Sequence, residues 1–450
     1  MHDDTPPRDR NAAARRLISR RQLLAGTAGA AGALALGGTG RFLTHAAAGG
    51  SGSALASGLP APATSGIEHM VVVMMENRSF DHLAGWLPNA DGKQAGLAYT
   101  APSGDRYLTH QLAPDYQGCG FNDPDHSYEG GRVEYDGGKC DGWLRANDVF
   151  SIGYYNRQDL PFFGAALPQW TSCDRYFAAI LAETYPNRFE QHAAQTDRIH
   201  NSTTTSTLPT IWDRLAQKGV SGTYYYSDVP FLALWGAKYL PISQPFATFI
   251  ADASAGTLPA VSFVDPRFLD EGSGTSGDDH PHADLRNGEV FLNTIYSAIT
   301  KGPGWSKTVL VINFDEWGGF FDHVPPTTAP LPSGEYAAGN KDGLRGFRVP
   351  TMIVSPWSPR GAVSHTVFDH TSVLKMIEWR WGLAPLTVRD AQANNLATAL
   401  NFTSPNLQAP QYVIPPGPYG APCPVGSSVH DEEWLPLQTV AQTYGFPILP

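Results

Sequence analysis

Charge is scarce in this chain. Asp, Glu, Lys and Arg together make up 16% of 450 residues, while Gly and Pro number 46 and 37. That composition excludes a coiled coil or a disordered chain and describes a loop-rich globular protein. The charge present is acidic, a formal −11, so nonspecific binding to nucleic acid is disfavoured. Cysteine is scarcer still, with Cys119, Cys140, Cys173 and Cys423 making no CxxC pair and no His/Cys zinc spacing. Four cysteines allow three pairings. Cys119 and Cys140 flank one loop-like segment and are the expected pair, with Cys173 beside Asp174-Arg175-Tyr176-Phe177 a buried thiol. No internal repeat or second-domain signature is present.

Long apolar runs are also few. Near the N-terminus, Ser19-Arg20-Arg21-Gln22-Leu23-Leu24 precedes a mild Ala/Gly/Leu stretch and then Ala46-Ala47-Ala48. Paired arginines before a short, Gly-rich apolar segment and a small-residue site predict a twin-arginine export signal over 1–48. A membrane-anchoring helix is the alternative, disfavoured by the segment's shortness. Removing 1–48 takes away seven Arg and three Asp and leaves 24 basic against 39 acidic residues, a net −15. The expected location is periplasmic, cell-wall associated or extracellular, reached through the twin-arginine machinery. Residues 49–66 read as a Gly/Ser/Ala/Pro linker.

The chain is organised around Ile67–His82. Six apolar residues, Met70–Met75, stop abruptly at Glu76-Asn77, as a buried parallel strand does where it reaches a polar site. Thr308–Phe314 repeats the design and ends in Asp315-Glu316. In open α/β sheets ligands gather outside the carboxyl ends of the strands. Two such ends would bring three carboxylates and an amide together. Carboxylates so crowded need protons or a cation, and hard divalent ions favour oxygen ligands. Glu76, Asn77, Asp315 and Glu316 are therefore candidate ligands of one divalent metal, Ca²⁺ or Zn²⁺, with oxygen donors leaning away from a typical zinc site.

Further strands are expected at Gly222–Tyr226, Ala260–Val264 and Pro350–Val354, and helices at 160–180, 209–218, 289–300, 371–381 and 432–444. The pattern predicts an α/β fold, a mostly parallel sheet with helices on both faces. The catalytic domain is expected over 67–395, and 396–450 as a Pro-rich extension packed on it. Residues 88–150 form a long irregular insertion of the kind that tends to be functional.

Three segments, Glu76–His82 (ENRSFDH), Asp278–Pro281 (DDHP) and Phe314–Pro326 (FDEWGGFFDHVPP), resemble the signatures of the bacterial phospholipase C and acid phosphatase family of phosphoesterases. The likeness runs from about Ile67 to Leu383. It implies an alkaline-phosphatase-like fold and a phosphoric ester hydrolase. In Thr184-Tyr185-Pro186-Asn187-Arg188, Pro186 favours a helix start, so Thr184 reads either as a cap or, by the resemblance, as the nucleophile. The resemblance's usual Gly-Pro before that residue is replaced by Ala182-Glu183. It also implies a phosphate-side position for His126, otherwise a turn residue, and a site role for His280, with Asp278 and Asp279 in support. His323, eight residues beyond Asp315, is the other candidate proton donor, and His370 reads as a cap or a substrate contact.

The chemistry implied is attack by Thr184 as a metal-held alkoxide, a phosphothreonine intermediate, and protonation of the leaving alcohol by His323 or His280. A phospholipase C acting on a phospholipid, with transient membrane-surface contact, is the leading expectation. A broad acid phosphatase acting on small phosphomonoesters is the alternative, and a silent anion- or lipid-binding protein is third.

Overall fold

The computed structural model describes residues 58–424 and 434–449. The expected export signal, most of the linker and the start of the last expected helix lie outside the described residues.

An eight-stranded mixed sheet forms the centre. In chain order its strands are β1 (His69–Met75), β2 (Thr171–Cys173), β3 (Gly222–Tyr226), β4 (Ser243–Pro245), β5 (Val261–Val264), β6 (Thr308–Phe314), β7 (Met352–Val354) and β8 (Val363–Ser364). Their order across the sheet is β8-β2-β7-β6-β1-β5-β3-β4. From β6 to β4 every neighbour is parallel. Only β7 runs against its neighbours β6 and β2. β1 and β6 lie at the middle and are buried along nearly their whole length, which is why they read as unbroken apolar runs.

Register does the positioning. Met75 pairs with Phe314, so Glu76 and Asp315 leave the sheet side by side. Val73 pairs with Val264 on the other flank, which brings Asp265 out at the same end. One parallel register thus delivers three carboxylates to one edge.

The segment expected as a helix over 160–180 is broken. Its turn Phe163–Ala166 and the 3-10 turn Leu167–Gln169 lead into β2. Its aromatic residues are buried, but they pack from a turn and a strand rather than from one helical face. The short strands β2, β4 and β8 were invisible to a pattern search because two or three residues carry no period. The expected boundary near 395 marks no break in packing, since Leu396, Ala397, Ala399 and Leu400 are buried in the main core.

The cysteine pairing differs from expectation. Cys119 is bonded to Cys423, 304 residues away, with Cα atoms 5.4 Å apart. Cys140 is a buried free thiol in a cluster with Trp143 and Phe321, and Cys173 is likewise buried and free. Gln117 and Ala421 exchange two hydrogen bonds beside the disulfide, so the tail returns to the insertion there. No helix among the described residues is long and apolar enough to cross a membrane.

Candidate active site

The helix Thr184–Ala193 presents its first residue to the strand ends. The sequence around it explains how. Asn187 folds back on the approaching loop, accepting from the Ile180 amide at 3.0 Å and donating to the carbonyls of Ala182 and Glu183 at 2.8 and 3.1 Å. Pro186 sits in the first turn, where a missing N–H costs nothing. Thr184 is fully buried, and its hydroxyl donates to Glu76 Oε1 at 3.4 Å.

Arg188, one turn on, was not anticipated. Its Nε donates to Asp315 Oδ2 at 2.9 Å, its Nη1 to Asp265 Oδ1 at 3.3 Å, and its Nη2 lies 3.7 Å from Glu76 Oε2. Burial opposes the guanidinium's charge, but Asp315, Asp265 and Glu76 outweigh it and raise its pKa. Burial pushes Asp315 and Asp265 up while Arg188 pulls both back. A guanidinium therefore supplies part of the neutralisation that the sequence assigned to a metal. The signal for Asp265 was available, because β5 ends in Asp265-Pro266 as β1 ends in Glu76-Asn77 and β6 in Asp315-Glu316.

Of the four expected ligands, Asn77 and Glu316 are tied to Asp315, and Glu76 shares Arg188 with it. Asp315 Oδ1 accepts from the amides of Asn77 at 3.3 Å and Glu316 at 2.7 Å. Asn77 is held with φ at +56°. The backbone comes so close that a Cβ on Gly318 would lie 2.2 Å from the Asn77 carbonyl, which is what the glycine pair permits.

His126, from the insertion, fixes which end of the Asn77 amide faces the site. Its Nδ1 lies 2.8 Å from the Pro124 carbonyl, which can only accept. Nδ1 therefore carries a proton, and in the neutral ring Nε2 accepts from Asn77 Nδ2 at 3.4 Å. Asn77 Oδ1 is left buried with no hydrogen-bond partner among the described residues. An orphaned amide oxygen among carboxylates suits a hard cation. Asn77 Oδ1 thus suits a hard cation, with Asp315 largely engaged by Arg188 and amides, while among the described residues the acidic and imidazole groups close enough together to hold an ion are Asp123, His126 and His280, and Asp81, Asp322 and His323.

His280 stands beside His126, their ring centroids 6.2 Å apart. Burial opposes its charge, yet Glu271 at 3.1 Å and Asp123 at 3.7 Å hold its pKa well above that of a free imidazole. Asp123, His126 and His280 offer potential ligand atoms within 4.8 Å of one another, so this group could also hold a cation. Asp278 supports the strand end, its carbonyl accepting from the Glu76 amide at 2.8 Å. Burial raises its carboxyl to about 7. The Asp279 carbonyl accepts from Arg78 Nε at 2.7 Å.

His323 is brought elsewhere. Its Nδ1 faces Asp81 Oδ2 at 2.5 Å and its Nε2 faces Asp91 Oδ1 at 3.1 Å. Both ring nitrogens are engaged, and none of these partners belongs to the Glu76–Thr184 cluster. His370 lies behind the site, fully buried, with Nε2 2.6 Å from the Asp315 carbonyl. Burial lowers its pKa to about 4, so it holds the strand end rather than an exposed substrate. Glu183 is the N-cap residue of the Thr184–Ala193 helix and turns its carboxylate to His200 Nδ1 at 2.9 Å and to the Asn201 amide.

Residues 67–384 match the family model described as the phosphoesterase family. Non-specific phospholipase C1 of Arabidopsis thaliana is 30% identical over 77% of this chain and 73% of its own. Phospholipase C A of Mycobacterium tuberculosis is 30% identical over 78% of this chain and 80% of its own. A solved phosphonate monoester hydrolase of Agrobacterium radiobacter overlays with a TM-score of 0.34 at 10% identity, over 71% of this chain and 74% of that one. That likeness is too remote to carry an argument.

Proposed function

This chain belongs to the phosphoesterase family and hydrolyses phosphoric ester bonds, and we propose that it is an exported, metal-dependent phospholipase C working through a phosphothreonine. The observation that carries the proposal is Thr184 at a helix N-terminus, its hydroxyl on Glu76, beside the convergent strand ends. A divalent ion held by Glu76, Asn77 and Glu316 would supply Lewis acidity, lowering the barrier to loss of the Thr184 proton and offsetting phosphate charge.

The chain's own residues do the rest. Thr184 Oγ1 passes its proton to Glu76 Oε1 and attacks phosphorus in line, and backbone amides at the helix start stabilise the anion. His280, kept protonated by Glu271 and Asp123, gives its proton to the departing alcohol oxygen as the P–O bond breaks. Water then cleaves the phosphothreonine, Thr184 regains a proton, and two displacements retain configuration at phosphorus. His126 keeps Asn77 oriented throughout, and Arg188 keeps Asp315 and Glu76 in register.

The reading extends to a phospholipid as substrate, reached by transient contact with a membrane surface, and to export through the twin-arginine signal. It makes diacylglycerol and a phosphorylated head group the products. Glu183, whose carboxylate is turned to His200 and the Asn201 amide, does not separate this reading from the acid phosphatase alternative. The test is one assay of purified protein on phosphatidylcholine, a choline phosphodiester and a phosphomonoester, with Thr184→Val alongside. Preference for the diesters with a dead, folded Thr184→Val protein is the expected result. Preference for the monoester across pH 5 to 8 would replace phospholipase C by acid phosphatase.

A further inference from the structure

The C-terminal tail, expected only to wrap the surface, reaches the site. The helix Trp434–Thr443 begins with a residue 1% exposed, and the Trp434 indole Nε1–H donates to Glu76 Oε1 at 3.1 Å. That is the oxygen to which Thr184 donates. The indole lies parallel to Phe268, 3.7 Å between centroids and 9° between planes. Tyr185, next to the nucleophile, closes on it at 5.5 Å. The helix is itself held by buried Leu437 and Ala441. Beyond it the Pro447 carbonyl accepts from Tyr226 Oη at 2.9 Å.

A buried carboxylate oxygen with two donors has its rotamer fixed, and outer hydrogen bonds of this kind orient the groups that bind metal. We propose that Trp434 is a positioning residue of the active centre, delivered by the C-terminal helix, which holds Glu76 so that it serves both Thr184 and the cation. The inference rests on the phosphoesterase reading for its catalytic consequence, but its metal consequence is independent of turnover. The tail is then part of the catalytic unit, and no boundary near residue 395 separates the two. A lid is the rival role for the same indole, because Thr184 is fully buried beneath this region.

The test compares the wild-type chain with Trp434→Phe, which keeps the stack on Phe268 and loses only the N–H, and with Trp434→His, which restores an N–H. Metal-stripped protein is titrated calorimetrically with Ca²⁺ alone and with Zn²⁺ alone, and kcat and KM are measured on a choline phosphodiester and on phosphatidylcholine vesicles. The expected result is a roughly tenfold weaker affinity for the better-bound ion in the Phe variant, in the range seen for lost outer-shell partners. A matching fall in kcat with KM within about twofold is expected too, and partial recovery in the His variant. Should the Phe protein not fold, a His variant within about threefold of wild-type affinity supports the same bond, and one weakened tenfold overturns it. A folded Phe variant with unchanged affinity and kcat overturns the inference. So does faster turnover of vesicles, which would make Trp434 a lid, or equal impairment of Phe and His variants. Wild-type protein without phosphoester turnover would instead sink the enzymatic reading, while the titration still judges Trp434.

Discussion

Two of the buried arginines that sit among carboxylates draw them from the same pair of motifs, and the proposed chemistry lies beside one of them. Arg188 joins Asp315, Asp265 and Glu76. Arg348 joins Asp322 at 2.9 Å and Asp81 at 3.1 Å, with His323 bridging Asp81 and Asp91. Both centres are built from the same two motifs, cut in half. The first halves, Glu76-Asn77 and Asp315-Glu316, go to the Arg188 centre, and the second halves, Asp81 and Asp322-His323, go to the Arg348 centre. Bonds between the motifs keep them alongside, including Ser79 Oγ to the Phe321 carbonyl at 2.6 Å and the His323 amide to Asp81 Oδ2 at 2.9 Å. The difference lies in what is left over. At Arg348 both nitrogens of the imidazole are spent on carboxylates. At the Arg188 centre the Thr184 hydroxyl reaches Glu76, and Asn77 Oδ1 has no hydrogen-bond partner among the described residues. Similar residue types thus serve, in the reading proposed above, as a pin in one centre and as the reactive site in the other.

The sharpest way to break this comparison is at the hydroxyl. Thr184→Val should lower phosphoester turnover by at least about a thousandfold, because a covalent route loses its nucleophile. Its Tm should stay close to wild type, since one weak hydrogen bond is removed from a buried near-isostere. His323→Gln should lower stability and cost turnover far less than Thr184→Val does. If a folded His323→Gln protein is as inactive as Thr184→Val, the Arg348 centre is chemical after all.

The next effect is on stability. Arg348→Met leaves Asp322 and Asp81 buried without their cation, and breaking a buried pair in this way costs about 3–5 kcal/mol. Asp322 already titrates near 6, because burial raises it and Arg348 only partly offsets that. Denaturant unfolding should give the loss at pH 7, and it should shrink on acidification as the orphaned carboxyls take protons. A variant as stable as wild type would show that the Arg348 network pins nothing.

A smaller effect tests how Asn77 is aimed. His126→Ala removes the acceptor that turns the Asn77 amide, so Ca²⁺ or Zn²⁺ affinity should fall by about tenfold with little change in Tm. Unchanged affinity would leave His126 with a substrate-side role alone.

How much of this was legible beforehand follows from the range of each signal. β1 and β6 were readable because buried parallel strands are nearly apolar throughout and here stop at Glu76-Asn77 and Asp315-Glu316, and β3 was bounded correctly by its run of tyrosines. The convergence of Glu76 and Asp315 needs only adjacent parallel strands. That His323 lies with Asp81 and Asp91 was not legible, because spacing along the chain says nothing of which centre a loop returns to after Gly318-Gly319. Arg188 sat in the recognised TYPNR stretch, but nothing local says that an arginine one turn into a helix reaches three strand ends. The Cys119–Cys423 bond and the Trp434 contact join residues more than 300 apart, and no periodicity encodes such a meeting.

A third case sharpens the comparison from the opposite side, a buried carboxylate with no arginine at all. Glu289 lies in the helix Leu285–Lys301 and accepts only amides, Phe162 N–H and Phe163 N–H, through one oxygen. Burial raises its pKa to about 8, and the two amides offset little of that. The folded-state value therefore lies above the unfolded one near 4.5. Its favourable contribution to stability is full below about pH 4.5 and is lost as pH rises towards 8, the reverse of a carboxylate held down by a cation. Glu289→Gln keeps an acceptor for the amides and removes the titration. Wild type should lose stability between pH 5 and 8, and the Gln variant should lose less, by about 1 kcal/mol or more. Asp278 and Asp322 slope the same way and remain in both proteins, so the difference isolates Glu289. Parallel Tm curves for the two proteins across that range would mean that Glu289 is ionised in the fold at neutral pH, and that a buried carboxylate here needs no arginine to stay charged.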